Sequence, residues 1–387
     1  MRRARATRTA ESCSLSQSWS STRRNASAAH LASACLAHGH GTWVPLQGAQ
    51  TEPYLLTTEL EETLKREPRH WWGICDSDLK RDASTGDISG RPARPSILHE
   101  WTPDGRGCDA LRKGNHALPE FDALACSFCA LNAGRTVVFV GDSVQGELFL
   151  AFASILGARS PRVNPGNEGC RRVAPRGSGK AELDMSMEVP CSSDGAVITL
   201  RFIRNELLWL DDDANARTRH PDRRLGAPAL MLCNWRSAVQ RADYLILNRG
   251  YHSLAWSNAT REVEELADMM RELSLVPSLT PLSDHVIFRG THASFRSCST
   301  RPDPETGSYD KVASLMRSRS NSQYNWRSVE GRASGARTLL ESFGVPYLDT
   351  YFATALRPGG RMPNSCNHFC LPGPVDEWVR LLLAWWS

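Results

Sequence analysis

Residues 136–147 read Thr-Val-Val-Phe-Val-Gly-Asp-Ser-Val-Gln-Gly-Glu, and this stretch decides the fold. Its first five residues are β-branched or aromatic, which predicts a strand buried on both faces of a parallel sheet. Gly141, Asp142 and Ser143 end the strand, and a helical apolar pattern follows. This order places Ser143 at the carboxyl edge of a sheet and at a helix N-terminus, where a hydroxyl can act as a nucleophile beside backbone N–H groups. The alternative is that Asp142 or Ser143 only caps the helix.

Strand and helix patterns alternate from this stretch to the C-terminus. The predicted strands are residues 136–140, 195–203, 243–248, 285–289 and 345–348, and the predicted helices are residues 55–65, 121–131, 147–156, 260–275, 329–343 and 375–386. Residues 159–180, rich in Gly, Pro and Arg, predict a long loop. The alternation predicts an α/β fold with three layers, a parallel sheet covered by helices on both faces.

The N-terminal part of the chain differs from the rest in composition. Residues 1–50 show no apolar periodicity and are rich in Arg, Ser and Ala, which predicts a disordered or targeting tail. Residues 65–135 predict an irregular, cysteine-containing lead-in, and residues 136–387 predict the α/β body of the same domain. No run reaches the ~18 apolar residues of a transmembrane helix.

The net charge of +4 comes from the tail, because residues 1–50 contain six arginines and a single acid, Glu11. The rest of the chain is close to neutral. A nucleic-acid-binding body would need a basic surface, so the composition argues against this class of partner.

The cysteines and glycosylation sequons predict an oxidising lumen. Ten of the 12 cysteines lie between Cys75 and Cys370, and the sequons begin at Asn25 and Asn258. An even number of cysteines together with acceptor sequons is typical of secreted chains. The alternative is a reducing compartment with buried thiols, and the sequence does not give the pairing.

Four predicted strands end in polar or glycine-rich corners. These corners are Gly141-Asp142-Ser143, Asn248-Arg249-Gly250, Arg289-Gly290-Thr291-His292 and Asp349-Thr350. In open parallel sheets ligands bind outside the carboxyl ends of the strands, so the corners are expected to converge on one cleft. The alternative is that they are ordinary turns, in which Asn, Asp and Gly are common.

A nucleophilic serine needs a base, and the base needs an orienting group. Among the 11 histidines, His368 is distinctive because Cys366 and Cys370 flank it and Leu-Pro-Gly-Pro follows. His368 is therefore a candidate base, although a lone histidine is more often a surface or structural residue.

Three motifs together resemble a known family. They are Gly141-Asp142-Ser143, Asn248-x-Gly250-x-His252 and His368-Phe369-Cys370-Leu371-Pro372-Gly373-Pro374-Val375-Asp376-x-Trp378. These motifs resemble the trichome birefringence-like proteins of the PC-esterase group, within the SGNH/GDSL superfamily. The resemblance runs from about Trp101 to the C-terminus, and the last motif is its most specific part.

The resemblance implies an SGNH-hydrolase-like fold and acyl-ester chemistry. Plant members are Golgi polysaccharide O-acetyltransferases, and relatives include sialate O-acetyltransferases and esterases. By this resemblance the chain would use acetyl-CoA or another acetyl ester as donor and a glycan or polysaccharide as acceptor, with no bound cofactor or metal. Ser143 would be the nucleophile and His368 the general base. The oxyanion and substrate-binding residues would be Gly141, Asp142, Asn248, Gly250 and Arg289.

One position departs from the family pattern, which is Asp-x-x-His. Ser365 stands three residues before His368, so the orienting acid is missing. In a serine protease, loss of the triad aspartate costs about 10⁴-fold in kcat. Three alternatives remain open: Asp349 replaces the acid, Ser365 or a backbone carbonyl orients the imidazole, or the protein is a non-catalytic relative.

Two further classes compete with acyl transfer. A carbohydrate-binding protein on an inactive scaffold is expected to place His368 far from Ser143, or to have no carboxylate near its Nδ1. A zinc protein would use Cys126, Cys129, Cys366, His368 and Cys370 as ligands, although disulfides explain these cysteines more simply. Hydrolysis of an acetyl ester is the same chemistry as transfer, with water as the acceptor.

Overall fold

The fold was analysed in a computed structural model of the chain. It describes residues 41–45, 79–81, 88–90, 99–103, 121–163, 170–174, 177–180, 184–191, 195–210, 229–293, 328–357, 361, 367–371 and 373–386. The predicted helix at residues 55–65 lies outside these ranges.

Strands are numbered in chain order. They are β1 (Gly41–Pro45), β2 (Leu79–Arg81), β3 (Ile88–Gly90), β4 (His99–Pro103), β5 (Thr136–Gly141), β6 (Arg159–Val163), β7 (Cys170–Ala174), β8 (Gly177–Lys180), β9 (Asp184–Pro190), β10 (Val197–Arg204), β11 (Leu230–Cys233), β12 (Tyr244–Leu247), β13 (Val286–Arg289) and β14 (Tyr347–Leu348). The helices of the described residues are α1 (Phe121–Asn132), α2 (Ser143–Ile155), α3 (Arg236–Val239), α4 (Gly250–Trp256), α5 (Ala259–Ser274), α6 (Leu282–His285), α7 (Val329–Ser342), α8 (Tyr351–Ala355) and α9 (Pro374–Trp386).

A seven-stranded sheet in the order β14-β13-β12-β5-β10-β9-β6 forms the centre of the molecule. The first five of these strands are parallel, and β9 and β6 extend the sheet with antiparallel pairing. β5, the strand that the opening stretch predicts, lies between β12 and β10. Its carboxyl end is therefore flanked by the ends of two parallel neighbours, which is where ligands bind in such sheets.

Helices cover both faces of the sheet and give three layers. Alternate residues of β5 point to opposite faces, so Val137 and Phe139 join one core cluster and Val138 and Val140 join the other. The first cluster contains α2, α9 and parts of α1 and α8, and the second contains parts of α3, α5 and α7. The three-layer α/β prediction is confirmed, and it fixes Ser143 at the junction of β5 and α2.

Two sequence predictions are wrong in detail. Residues 159–180, predicted as a loop, form β6, β7 and β8, and β7 pairs with β8 and β11 in a separate three-stranded sheet. Within the predicted tail, Gly41–Pro45 pairs with His99–Pro103 of the predicted irregular lead-in, where β2 also pairs with β3. Of these short strands, β2, β7 and β8 are rich in Arg, Lys, Gly and Ser, so they lack the β-branched and aromatic pattern that predicts a strand.

The described cysteines are disulfide-bonded. Cys129 pairs with Cys191 and Cys170 pairs with Cys233, while Cys126 and Cys370 are also in disulfides. Oxidised sulfur does not ligate zinc as a thiolate, so these cysteines are not the ligands of the zinc alternative. In the described part of the chain, no helix has the length and apolar character needed to span a membrane.

Candidate active site

The turn between β5 and α2 is shaped by Gly141 and Asp142. A Cβ on Gly141 would lie 2.6 Å from the backbone oxygen of Asn248, so only glycine lets the two strand ends approach this closely. Asp142 is the N-cap of α2, and its Oδ1 accepts hydrogen bonds from the N–H groups of Val144 and Gln145, each at 3.0 Å. Asp142 is therefore the cap, which leaves the hydroxyl of Ser143 for another role.

Ser143 and His368 are in direct contact, although 225 residues separate them. The Nε2 of His368 lies 2.8 Å from the Oγ of Ser143, which is hydrogen-bond distance. Ser143 is 7 % exposed and His368 is partly buried. The structure thus brings together the nucleophile and the base that the sequence predicts, in the geometry of an activated serine.

The surroundings of His368 keep its imidazole neutral. Burial lowers the pKa of His368 to about 4, Asp142 raises it, and the positive charge of Arg204 adds to the lowering. At neutral pH the imidazole can therefore accept a proton from Ser143, although a base with so low a pKa is weak.

The N-terminus of α2 offers a donor for a developing negative charge. Asp142 occupies the N–H groups of Val144 and Gln145 through its side chain and that of Gly146 through its carbonyl. Within the described residues, the N–H of Ser143 makes no hydrogen bond. It is the backbone donor nearest to the reacting oxygen, as an oxyanion site requires.

Asn248 and Gly250 lie beside this turn, as the strand-end argument predicts. The N–H of Asn248 donates to the carbonyl of Val140, and one side-chain amide hydrogen donates to the carbonyl of Arg289 at 2.9 Å. The amide carries a second hydrogen that remains for an oxyanion. Gly250 has φ +66°, and a Cβ there would collide with the carboxylate of Asp142. Both residues thus belong to the wall of the site next to Ser143.

Arg289 contacts the first residues of α2 and supports the turn between β5 and α2. Its Nε donates to Gln145 Oε1 at 2.8 Å, and its Nη2 lies 3.6 Å from Asp142 Oδ1. Its guanidinium also lies over the ring of Trp378, 5.2 Å from the centroid. Burial lowers the pKa of Arg289 and the charge of Asp142 raises it. We conclude that Arg289 holds Asp142 and Gln145 in place at the start of α2.

Asp349 lies at the end of β14, away from the turn that carries Ser143. Its Oδ1 accepts the N–H of Tyr351 at 2.9 Å, and its Oδ2 pairs with Arg337 at 2.5 Å. It follows β14, three strands from β5, and neighbouring strands are about 4.8 Å apart, so it is about 14 Å from the turn that carries Ser143. The structure does not bring Asp349 together with His368, which removes the support for it as the orienting acid.

Arg204 and Glu206 also lie at this edge of the sheet and were not predicted from the sequence. Arg204 ends β10 opposite Gly141, and its guanidinium pairs with Glu206 Oε1 at 2.5 Å. Glu206 also lies 3.2 Å from Nδ1 of His252, the last residue of the second motif. Applying the strand-end rule to the predicted strand at residues 195–203 would have found Arg204 and Glu206.

Glu147, which was not predicted, and His292, which belongs to the predicted corner at residues 289–292, contact the backbone on either side of His368. His292 Nε2 lies 2.9 Å from the carbonyl oxygen of Asn367, and Glu147 Oε2 accepts the N–H of Phe369 at 3.2 Å. The sequence contains one indication of the position of Glu147. It follows Ser143 by four residues in a predicted helix, so the two side chains share a helix face.

A cavity of about 380 Å³ lies away from this site. It is lined by Thr136, Ser186, Thr199, Arg201 and Arg241, among others. Thr136 begins β5 and Ser143 follows its other end, so the cavity lies toward the opposite edge of the sheet and is not part of the Ser143 site.

The comparisons with known proteins add no assignment to this geometry. No protein-family model matches the chain, and no curated protein matches it significantly.

Proposed function

We propose that this protein is a glycan or polysaccharide O-acetyltransferase that works through an acetyl-serine intermediate on Ser143. The observation that carries the proposal is the 2.8 Å contact between Ser143 Oγ and His368 Nε2 at the carboxyl edge of the parallel sheet. A serine that touches a neutral imidazole beside an unbonded backbone N–H has the three parts that acyl transfer needs.

The first half of the reaction transfers the acetyl group to the enzyme. Ser143 Oγ attacks the acetyl carbonyl while its proton passes to His368 Nε2. The carbonyl oxygen becomes an oxyanion, stabilised by the N–H of Ser143 and the second amide hydrogen of Asn248. The bond to the leaving thiolate or alkoxide then breaks, and the imidazolium of His368 returns the proton to it. Acetyl-CoA or another acetyl ester would serve as donor.

The second half releases the acetyl group to an acceptor. A sugar hydroxyl approaches the acetyl-serine, loses its proton to His368 and attacks the carbonyl. The proton then returns to Ser143 Oγ as the ester bond breaks, which restores the enzyme. Water in place of the sugar gives an esterase, so the acceptor alone separates the two activities.

The motif resemblance supports the glycan acceptor, and the cysteines support the compartment. Every described cysteine is oxidised, as in chains that fold in an oxidising lumen. Together with the sequons, this supports a place in the secretory pathway, in the Golgi by the resemblance. The contact of His368 with Ser143 argues against an inactive carbohydrate-binding scaffold by the first of its two criteria, the distance between these residues. The second criterion, a carboxylate near Nδ1 of His368, stays open.

The test is covalent labelling of the full-length chain, folded with its disulfides, by a fluorophosphonate probe. We expect one adduct by intact mass, located on Ser143 by peptide mapping. Ser143→Ala should remove the adduct, and His368→Ala should slow its formation about 10³-fold or more, because the proton then has no acceptor.

A folded wild-type chain that takes no label would overturn the proposal. Where labelling succeeds, incubation with an acetyl ester and a glycan distinguishes the activities. Acetate alone would identify an esterase, and an acetylated glycan would identify a transferase. Ser154→Ala, at the far end of α2, is the matched control and should label like the wild type.

A further inference from the structure

The segment that carries His368 is held from both sides by buried side chains. His292 donates from Nε2 to the carbonyl of Asn367, because a carbonyl can only accept, and Glu147 accepts the N–H of Phe369. The two bonds measure 2.9 Å and 3.2 Å and involve the residues immediately before and after His368. Both side chains are almost completely buried, Glu147 at 0 % and His292 at 1 % exposure. The backbone is therefore held by a hydrogen bond on each side of His368.

Glu147 joins the base to the nucleophile through one helix. Ser143 and Glu147 are four residues apart in α2, so their side chains lie on the same face, one above the other. Ser143 contacts the ring of His368, and Glu147 contacts the backbone one residue further on. A shift of the His368 segment along α2 would break both contacts together, so α2 sets the register between them.

His292 is itself locked in position. Its carbonyl accepts the hydroxyl of Tyr251, and its ring packs edge-on against Tyr251 and Phe369, each with centroids 4.9 Å apart. Burial lowers the pKa of His292 well below its usual range. The ring is therefore neutral, with its proton on the nitrogen that faces Asn367.

Burial also favours the neutral form of Glu147. Burial raises the pKa of Glu147 well above its usual range, against the lowering by the N–H of Phe369. A protonated carboxyl keeps a carbonyl oxygen that can accept this N–H. The contact to the N–H of Phe369 can therefore form with either protonation state of Glu147.

We propose that Glu147 and His292 are positioning residues that hold His368 against Ser143, a task that falls elsewhere to an acid on the imidazole. The inference rests on the proposed function. Ser365 stands where the family pattern has its aspartate, and two buried side chains bind the backbone on either side of His368. They restrain the main chain that carries the imidazole.

The test compares paired substitutions in the full-length chain. Glu147→Leu and His292→Phe keep volume but remove the contact, whereas Glu147→Gln and His292→Gln keep an acceptor and a donor. The fluorophosphonate reaction gives an inactivation rate and an apparent affinity for each variant. We expect the two disruptive variants to lose about 10- to 100-fold in rate, as a displacement of about 1 Å can cause, with the affinity unchanged. The Gln variants should recover most of the rate.

A second readout does not depend on the chemistry of Ser143. Diethyl pyrocarbonate modifies neutral imidazoles, and peptide mass mapping reads its rate at His368 alone. We expect this rate to rise several-fold in Glu147→Leu and His292→Phe, because the released segment exposes the ring. Ser154→Ala should behave as the wild type in both assays.

The outcomes separate this inference from the proposed function. A wild-type chain without fluorophosphonate label removes the proposed function, and the pyrocarbonate rates still decide the positioning role. Disruptive variants that label and modify at wild-type rates, measured per folded molecule, overturn the positioning role and leave the function standing. A fall in melting temperature with unchanged rates would likewise reduce the two residues to structural support.

Discussion

At the scale of the residue, the base is the most unusual part of the site. Burial that places His368 against Ser143 also lowers its pKa to about 4. A general base is most effective when its pKa is near the working pH, so this environment weakens the proton transfer while it keeps the imidazole neutral. An aspartate in place of Ser365 would be expected to raise the pKa of His368, because a nearby negative charge favours the imidazolium.

The pH profile of the activity should report this low pKa. We expect kcat/KM for acetyl-ester turnover to fall only as the pH drops through about 4, because His368 stays unprotonated above it. The measurement is kcat/KM across the acid range, with the folded fraction measured at each pH. An acidic limb near the ordinary histidine value of 6.5 would show that His368 titrates as an exposed imidazole.

Restoring the acid should raise the activity. Ser365→Asp recreates the Asp-x-x-His spacing, and a triad aspartate is worth about 10⁴-fold in a serine protease. Since positioning already comes from the backbone, we expect a smaller gain, about 10-fold, together with a higher pH for the acidic limb. Steady-state kinetics of acetyl-ester hydrolysis measure both.

Ser365→Asn is the matched control for this prediction, because it has the same shape without the charge. A gain in Ser365→Asn equal to that in Ser365→Asp would contradict the electrostatic explanation. A loss in the aspartate variant alone would mean that the backbone restraint and the acid compete.

Residue positions in the site could be predicted only where a general rule applies to the sequence. The strand-end rule and the motifs predicted that Ser143 and His368 come together, and they placed Asn248 and Gly250 beside them. They did not predict that the carboxylate of Asp349 accepts hydrogen bonds from Arg337 and from the N–H of Tyr351. Tertiary packing decides which donors lie near a carboxylate, and a local sequence pattern does not show this.

At the scale of the element, the most apolar patterns were the most informative. Buried parallel strands and amphipathic helices have strong periodicity, so β5, β12, β13 and α5 were predicted within a residue or two of their ends. β7 and β8 were missed because they are rich in Arg, Gly, Ser and Lys and have few of the β-branched and aromatic residues that are typical of strands. Helix α9 shows why packing matters: Trp386 at its end lies against Phe128 and Phe152.

The disulfide between Cys129 and Cys191 links α1 to the end of β9. It closes a separation of 62 residues, for which the loop-entropy relation gives about 4 kcal/mol of stability. Replacing both cysteines by serine should lower the free energy of unfolding by about this amount in a urea titration. Pro190, next to Cys191, pairs with the first residue of β10, so the bond is at the amino edge of the parallel strands, away from Ser143.

The labelling rate of folded molecules should therefore not change in the double serine variant. A variant as stable as the wild type would show that the bond adds no stability. A variant whose folded molecules label slowly would show that the amino edge of the sheet controls the site at the other edge.

At the scale of the whole molecule, three buried groups couple stability to pH. Burial lowers the pKa of His368 to about 4 and that of His292 well below 6.5, so the unfolded chain binds more protons as the pH falls below 6.5. Their contribution is present above pH 6.5 and is lost as the pH falls toward 4. Glu147 acts in the opposite sense, because burial raises its pKa above 4.5. Its contribution is present below pH 4.5 and is lost as the pH rises through its folded-state pKa.

Glu147→Gln should separate these opposing effects. Glutamine keeps an acceptor for the N–H of Phe369 but has no proton to lose, so the variant avoids the cost of keeping a carboxyl neutral in the folded chain at neutral pH. We expect it to be more stable than the wild type at pH about 7.5, and the difference to shrink toward zero at pH about 4, where Glu147 is largely protonated in both the folded and the unfolded chain. Urea titrations at the two pH values measure the free energies. A stability difference that is the same at both pH values would show that the folded chain does not raise the pKa of Glu147. A variant that is less stable than the wild type at neutral pH would mean that the wild-type carboxylate of Glu147 is ionised and paired. His292→Phe should reduce the loss of stability between pH 6.5 and 4, because one of the two histidines that drive it is gone.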